Sequence, residues 1–115
     1  MPSAESFIGL LSLLVMAHFI GDFALQSDRM ATEKSPGADV TLHWSWWLTA
    51  HAGCHGFLVA WITGIPWLGV CEWAAHWLID YLKCQNKFTF KQDQLLHLAC
   101  KLLWATMLFS KVYGI

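Results

Sequence analysis

The sequence predicts an all-α fold, a four-helix transmembrane bundle, and two observations support it. The 115 residues are 57% hydrophobic and only 13% charged, which is too apolar and too poor in charge for an ordinary soluble domain of this length. Four apolar segments each approach the roughly 20 residues that span the core of a bilayer. A chain of this length makes one domain, so we expect residues 1–115 to fold as a single unit.

The four apolar segments are separated by breaks that are typical of helix ends. They run from Ser6 to Gln26, from Trp46 to Ile65, from Pro66 to Leu82 and from Asp93 to Tyr113. The Gly-Ile-Pro sequence at 64–66 predicts a tight turn, with Pro66 at the first position of the third helix. Polar stretches at 27–45, with a Ser-Pro-Gly turn at 35–37, and at 84–92 connect the remaining neighbours.

The distribution of basic residues predicts the orientation of the bundle. Arg29 and Lys34 lie in the first connection, three lysines (Lys83, Lys87 and Lys91) lie in the third, and the turn at 64–66 carries none. The positive-inside rule therefore predicts a multi-pass protein of the bacterial inner (cytoplasmic) membrane, with both termini outside the cytoplasm. The first segment lacks a basic leader and a cleavage site, so we expect it to remain as a membrane helix.

Composition also excludes some classes of partner and site. A net charge of −1 without a basic stripe argues against nucleic acid as a partner. The four cysteines show no C-x-x-C spacing, which argues against a disulfide framework or a thiolate metal site.

Histidine and aspartate interrupt the apolar segments in pairs at i,i+4 spacing, which places both side chains of a pair on one helix face. The pairs are His18 with Asp22, His51 with His55, His76 with Asp80, and Asp93 with His97. In the predicted topology all four pairs lie at the cytoplasmic end. At ~1.5 Å per residue, four histidines form a deeper layer and the other members lie about one turn nearer water. The deeper layer contains His18, His55, His76 and His97.

Imidazole and carboxylate ligands without thiolate suit a divalent metal, zinc first, with manganese or iron as alternatives. Eight ligands exceed one tetrahedral site, so one interpretation is two ions about 3.5–4 Å apart, bridged by a carboxylate. Another is one ion, with the remaining residues orienting its ligands. A third is that the pairs are interhelical hydrogen bonds without metal. Gln26 and Gln94 neighbour these pairs, and either amide can orient a ligand or lie at the membrane interface.

Two further charges lie one turn deeper than the histidines. Glu72 precedes His76 by four residues, and Lys101 follows His97 by four. One hypothesis is a buried ion pair that fixes helix register. The other is catalytic: Glu72 as a proton acceptor or partner of a ligand, and Lys101 as a group that stabilises an anionic substrate.

Five motifs resemble a family of small phage and bacterial membrane proteins known as a domain of unknown function. They are HFIGDFALQ at 18–26, MATEK at 30–34, HAGCH at 51–55, HWLID at 76–80 and DQLLH at 93–97. More loosely, the chain is similar to inner-membrane metal-dependent hydrolases, which share histidine pairs on hydrophobic helices. That likeness implies a hydrolase, and the short connection at 27–45 implies that any cap found in larger relatives is missing.

We therefore expect metal-dependent hydrolysis of a phosphoester, with a membrane lipid or another membrane-associated molecule as substrate. Three alternatives remain: a metal-binding or transporting membrane protein, a phage membrane effector that binds a host membrane protein through a metal-stabilised bundle, and a soluble di-metal bundle. The last uses a Glu-x-x-His motif that is absent here. A second copy of the chain, in a homo-oligomer, is a further candidate partner.

Overall fold

Helices form every regular element in residues 6–113, the part of the chain that the computed structural model describes. They are α1 (Phe7–Phe19) followed by a π-helical turn (Ile20–Ala24), α2 (Asp28–Glu33), α3 (Trp44–Thr63), α4 (Pro66–Cys84) and α5 (Phe90–Tyr113). The all-α prediction is confirmed. The predicted side of the membrane for the two termini concerns residues 1–5 and 114–115, which lie outside the described residues.

The helix ends follow from local sequence. Gly64 ends α3 with a left-handed φ of 71°, and Pro66 occupies the start of α4, as predicted for the turn at 64–66. Helix α5 begins earlier than the predicted Asp93 because Thr89 and Gln92 form a capping box. The Gln92 side chain accepts from the Thr89 N–H at 3.0 Å, and the Thr89 hydroxyl accepts from the Gln92 N–H at 3.1 Å.

The predicted first helix is not uniformly α-helical. Between Ile20 and Ala24 the chain forms a π-helical turn, and the Leu25 N–H donates to the Ile20 C=O at 2.9 Å. Such turns insert one residue into a helix and often occur at functional sites. Asp22, a predicted ligand, lies in the middle of this turn.

The connection between α1 and α3 contains one helix that the sequence analysis did not predict. Helix α2 is capped by Ser27, whose hydroxyl accepts from the Met30 N–H at 3.1 Å. The expected turn at 35–37 follows, with Gly37 at a φ of 90°.

Glu33, at the end of α2, holds the rest of this connection in place. Its Oε1 accepts from the backbone N–H groups of Val40 and Thr41, each at 2.6 Å, and from the Thr41 hydroxyl at 3.0 Å. Arg29 pairs with the other carboxylate oxygen at 3.2 Å. The Thr41 amide contributes most to lowering the pKa of Glu33 from 4.5 to about 2.

We expect this connection to loosen in acid. Because the pKa of Glu33 is lower in the folded protein than in the unfolded chain, its stabilising effect is complete above pH 4.5 and is lost as the pH falls toward 2. The NMR resonance of the Thr41 amide proton should titrate with a midpoint near 2, and Glu33→Gln should abolish the titration. A midpoint near 4.5 would mean that these hydrogen bonds do not form in solution.

Helices α3 and α4 pack most closely, at two glycines. A Cβ at Gly56 would lie 2.7 Å from the carbonyl oxygen of Gly69, and a Cβ at Gly69 would lie 2.6 Å from that of Gly56. Small residues at such crossings let helix backbones approach closely, as is common between membrane helices.

The interior of the bundle is divided along its length into an apolar end and a polar end. The apolar end is a core of buried side chains from α1, α3, α4 and α5, among them Leu10, Leu14, Val59, Ile62, Leu68 and Trp104. The polar end contains the predicted histidines and aspartates, together with Glu72 and Lys101, and most of these side chains are fully buried.

The outer surface is, by contrast, rich in large apolar side chains. Trp46 is 69% exposed, Phe57 67% and Val70 60%. Among the described residues, one helical stretch, Phe7–Ala24 near the N-terminus, has the length and hydropathy to cross a membrane. One such stretch also occurs in core helices of soluble proteins and in signal sequences. The all-α part of the predicted four-helix transmembrane bundle is therefore confirmed, and its transmembrane part is not.

Candidate metal centre

The structure brings all eight predicted ligand residues into one cluster at the polar end of the bundle. Helices α1, α3, α4 and α5 and the π-helical turn each contribute at least one of them. The imidazole rings of His55 and His76 stack with their centroids 3.7 Å apart, and those of His76 and His97 stack at 4.0 Å. Of the eight, only Asp22 is not fully buried, with its side chain 10% exposed.

The first group of ligand atoms converges on one carboxylate oxygen. Asp22 Oδ1 lies 3.3 Å from His51 Nε2, 2.9 Å from His55 Nε2 and 3.6 Å from His76 Nε2. The Nε2 atoms of His51 and His76 are 3.3 Å apart. These four residues can hold a metal ion, because one ligand atom from each lies within 4.8 Å of the others.

The four separations given above are close to the edges of a tetrahedral metal site, and the other two, from His55 to His51 and to His76, are within 4.8 Å. Zinc binds histidine nitrogen and carboxylate oxygen at about 2.0–2.2 Å, so ligand atoms in a regular tetrahedron lie roughly 3.3–3.5 Å apart. The observed separations of 2.9–3.6 Å scatter around that value. Three imidazoles and one carboxylate supply four ligands of the kinds that zinc binds.

Hydrogen bonding alone leaves this group unsatisfied. His55 Nε2 and Asp22 Oδ1 are buried and lie 2.9 Å apart as an ion pair, without the alignment of a full hydrogen bond. Buried polar atoms without partners are rare and costly. An ion between these atoms would satisfy both, which argues against the interpretation as helix–helix hydrogen bonds alone.

The second group consists of Asp80, Asp93 and His97. His97 Nε2 lies 2.8 Å from Asp80 Oδ1 and 3.4 Å from Asp93 Oδ1, and that Asp93 oxygen is buried without a hydrogen-bond partner. Three protein ligands leave a fourth position open, as in catalytic metal sites.

Asp80 connects the two groups. While its Oδ1 faces His97, its Oδ2 lies 3.2 Å from His51 Nε2 and 3.6 Å from His76 Nε2. A carboxylate that reaches both groups has the arrangement of a bridging ligand between two ions.

Glu72, His76 and His97 form a third group whose atoms are close enough for a metal, but Glu72 in this group is already paired with a cation. Lys101 Nζ lies 2.6 Å from Glu72 Oε1, and Trp104 Nε1 donates to the same oxygen at 2.8 Å. The buried ion pair of the sequence analysis is thus present. Glu72 Oε2 also lies 2.9 Å from His76 Nδ1, which leaves His76 Nε2 facing Asp22.

The side-chain amide of Gln94 contacts three residues of the cluster. Its side-chain oxygen lies 2.9 Å from His18 Nε2, and its amide nitrogen donates to Asp22 Oδ2 at 2.9 Å and to Asp93 Oδ2 at 3.2 Å. Gln26 donates to the backbone C=O of Asp22 at 3.0 Å. His18 itself lies 3.4 Å from Asp22 Oδ2, at the edge of both groups.

Two residues of the centre were not identified as part of it from the sequence. Lys34, interpreted there as a topology signal, has its Nζ 3.0 Å from Asp80 Oδ2. Gly21 lies against the ring of His55, and a Cβ there would lie 2.5–2.9 Å from three ring atoms. The position of Gly21 next to Asp22 was the available signal, since a glycine beside a ligand often permits close approach.

Gly21→Ala is expected to displace His55 and to lower metal affinity by about 10-fold to 100-fold, because the ring cannot keep its place against the new methyl group. Gly53→Ala on α3 is the matched control, since its Cβ would meet Trp73 at an ordinary 3.5 Å. Metal titration of both variants checks the prediction. Equal affinities would show that His55 is not a ligand.

Comparison with known proteins identifies the family of the chain but does not identify an activity. A family model described as a protein of unknown function (DUF3307) matches residues 10–113. No curated protein and no solved structure matches the chain. The resemblance to a domain of unknown function is thereby confirmed.

Proposed function

The chain belongs to the DUF3307 family, and we propose that it is an integral membrane metalloprotein whose His/Asp centre hydrolyses a phosphoester. The observation that carries the proposal is the convergence of three imidazole nitrogens, from α3 and α4, on one oxygen of Asp22. Zinc is the first candidate metal because the donors are three nitrogens and one oxygen in near-tetrahedral separations; manganese and iron remain alternatives.

The inverted distribution of polarity supports four membrane-crossing helices. The bundle buries ionisable side chains and exposes tryptophan, phenylalanine and valine, the reverse of a water-soluble domain. Ionisable residues inside membrane proteins face the bundle interior in this way. The same inward-facing residues lower the mean hydropathy of α4 and α5, which is why a helix can cross a membrane in a bundle without being apolar throughout. Carbonate extraction tests this point, and release of the protein by carbonate alone would contradict it.

The open position of the second group supports hydrolysis. A divalent ion there would lower the pKa of a bound water and polarise a phosphoryl oxygen. We assign Asp93, whose buried Oδ1 lies 3.4 Å from His97 Nε2, as a charged ligand of that ion. We assign positioning roles to Glu72, which contacts His76, and to Lys101, which contacts Glu72.

A lipid or another membrane-associated molecule is the proposed substrate. The polar connection that contains α2 contacts the centre through Lys34, whereas the surface of the helices is apolar. A centre at that position lies at the level of phospholipid head groups in the predicted orientation.

Transport of metal is less well supported. Beyond Glu72 and Lys101 the described interior is the apolar core that contains Leu14, Val59 and Leu68, and no histidine, aspartate or glutamate is among the buried residues of that core. A structural metal in an effector protein is the second candidate, because seven of the eight ligand residues are fully buried.

Hydrolysis assays on detergent-purified protein distinguish these candidates. We expect p-nitrophenyl phosphate, bis-p-nitrophenyl phosphate or phosphatidic acid to be hydrolysed in the presence of zinc or manganese and not after chelation. Asp93→Asn should lower the rate by more than ~100-fold, since it removes a charged ligand of the ion that activates the water, while the first group keeps its ion. Stoichiometric metal without hydrolysis of any of these substrates would favour the structural role.

A further inference from the structure

We propose that Lys34 is the anion-binding residue of the centre and that the group it selects is a phosphate. This inference rests on the proposed function. Among the described lysines and arginines, Lys34 is the one whose side chain pairs with an aspartate of the eight-residue cluster. Arg29 pairs with Glu33, and Lys101 pairs with Glu72 on the far side of the histidines.

Lys34 contacts a carboxylate oxygen that a metal ion at the centre would also need. Its Nζ lies 3.0 Å from Asp80 Oδ2, the oxygen that also faces His51 Nε2 at 3.2 Å and His76 Nε2 at 3.6 Å. An ammonium group and a divalent ion repel one another and compete for the same oxygen. Metal binding would therefore turn the Lys34 side chain away from Asp80.

The backbone around Lys34 is fixed, so the side chain stays near the centre when it turns. Glu33, the preceding residue, is bonded to Val40 and Thr41. Ser35, the following residue, donates its hydroxyl hydrogen to the Cys84 sulfur of α4 at 3.0 Å. Lysine has a flexible four-carbon stem, and rotation within it moves the ammonium while the main chain remains in place.

The net charge of the centre with two bound metal ions favours an anion next to Lys34. Two divalent ions bring four positive charges, whereas Asp22, Asp80 and Asp93 bring three negative ones. Lys34 adds one positive charge, and Glu72 and Lys101 neutralise each other. The excess of positive charge next to an open metal position suits a phosphate group, which lysine binds as a point charge.

Phosphate binding to the metal-loaded protein tests the inference. We expect Lys34→Met to weaken the binding of inorganic phosphate by about 10-fold to 100-fold, as for the loss of a charged hydrogen bond. Lys34→Arg should keep most of the affinity, and Lys83→Met, in the last turn of α4, should leave it unchanged. Lys34→Met should bind metal at least as tightly as the wild type because it removes a competing cation. Lys34→Arg retains a cation there and should also bind metal at least as tightly.

Nanodiscs of phosphatidylcholine, with and without phosphatidic acid, distinguish the source of the phosphate. Competition by phosphatidic acid in the wild type but not in Lys34→Met supports a lipid head group, and binding of inorganic phosphate alone supports a soluble phosphate. Unchanged phosphate affinity in Lys34→Met would overturn the inference, and so would loss of metal from that variant, which would make Lys34 structural. Absence of metal from the wild type would instead refute the proposed function.

Discussion

Asp80→Asn is expected to remove both metal ions from the centre. Its two carboxylate oxygens face different groups, Oδ1 toward His97 at 2.8 Å and Oδ2 toward His51 at 3.2 Å. An asparagine keeps the shape but offers one neutral oxygen in place of two charged ones. The affinity for either ion should fall by more than ~100-fold, beyond the effect of losing a residue that only orients a ligand.

Two matched substitutions give this experiment its controls. Asp22→Asn should remove one ion and leave the second group, Asp80, Asp93 and His97, able to bind. Asp28→Asn, an exposed aspartate at the start of α2, should leave metal content unchanged. Retention of both ions in Asp80→Asn would contradict a bridging role for this residue.

Lys101→Met is expected to destabilise the fold by about 3–5 kcal/mol, the usual cost of removing one partner of a buried ion pair. The substitution leaves the carboxylate of Glu72, which is fully buried, with Trp104 and His76 as its remaining partners. Unfolding in mixed micelles with increasing denaturing detergent measures the change. The same change at Lys111, exposed on the same helix, should alter stability by no more than about 0.5 kcal/mol.

A double substitution separates the ion pair from simple packing. Glu72→Gln combined with Lys101→Met removes both charges, and we expect it to recover much of the stability lost in Lys101→Met. Because Glu72 also contacts His76, the double variant should still bind metal more weakly than the wild type. Equal stability of Lys101→Met and wild type would contradict a buried ion pair.

The spacing of ligands in the sequence predicted most of the centre. Histidine and aspartate four residues apart must share a helix face, and opposite chain directions then place the four pairs at one end of the bundle. Local sequence cannot show which atoms meet across helices, so the contacts of Asp80 with both His51 and His97, and of Gln94 with Asp22, are seen only in the structure.

Other features escaped prediction for identifiable physical reasons. The π-helical turn around Asp22 is formed by i,i+5 hydrogen bonds. At five residues it is too short to produce a periodic pattern of apolar residues in the sequence. The sequence analysis uses Lys34 only as one of the basic residues in a loop. Its contact with Asp80 joins residues 46 positions apart, and local sequence does not show such contacts. Helix α2 and the early start of α5 depend on the capping residues Ser27 and Thr89, which were read as parts of polar connections.

The metal content of the detergent-purified protein tests the central claim most directly. We predict about two zinc, manganese or iron ions per chain by elemental analysis, with the first lost in His76→Ala and the second lost in His97→Ala. A wild-type protein that contains no metal after purification without chelator, while both variants fold normally, would contradict the account. The four ligand pairs would then be helix–helix hydrogen bonds, and the basis for an enzyme would be removed.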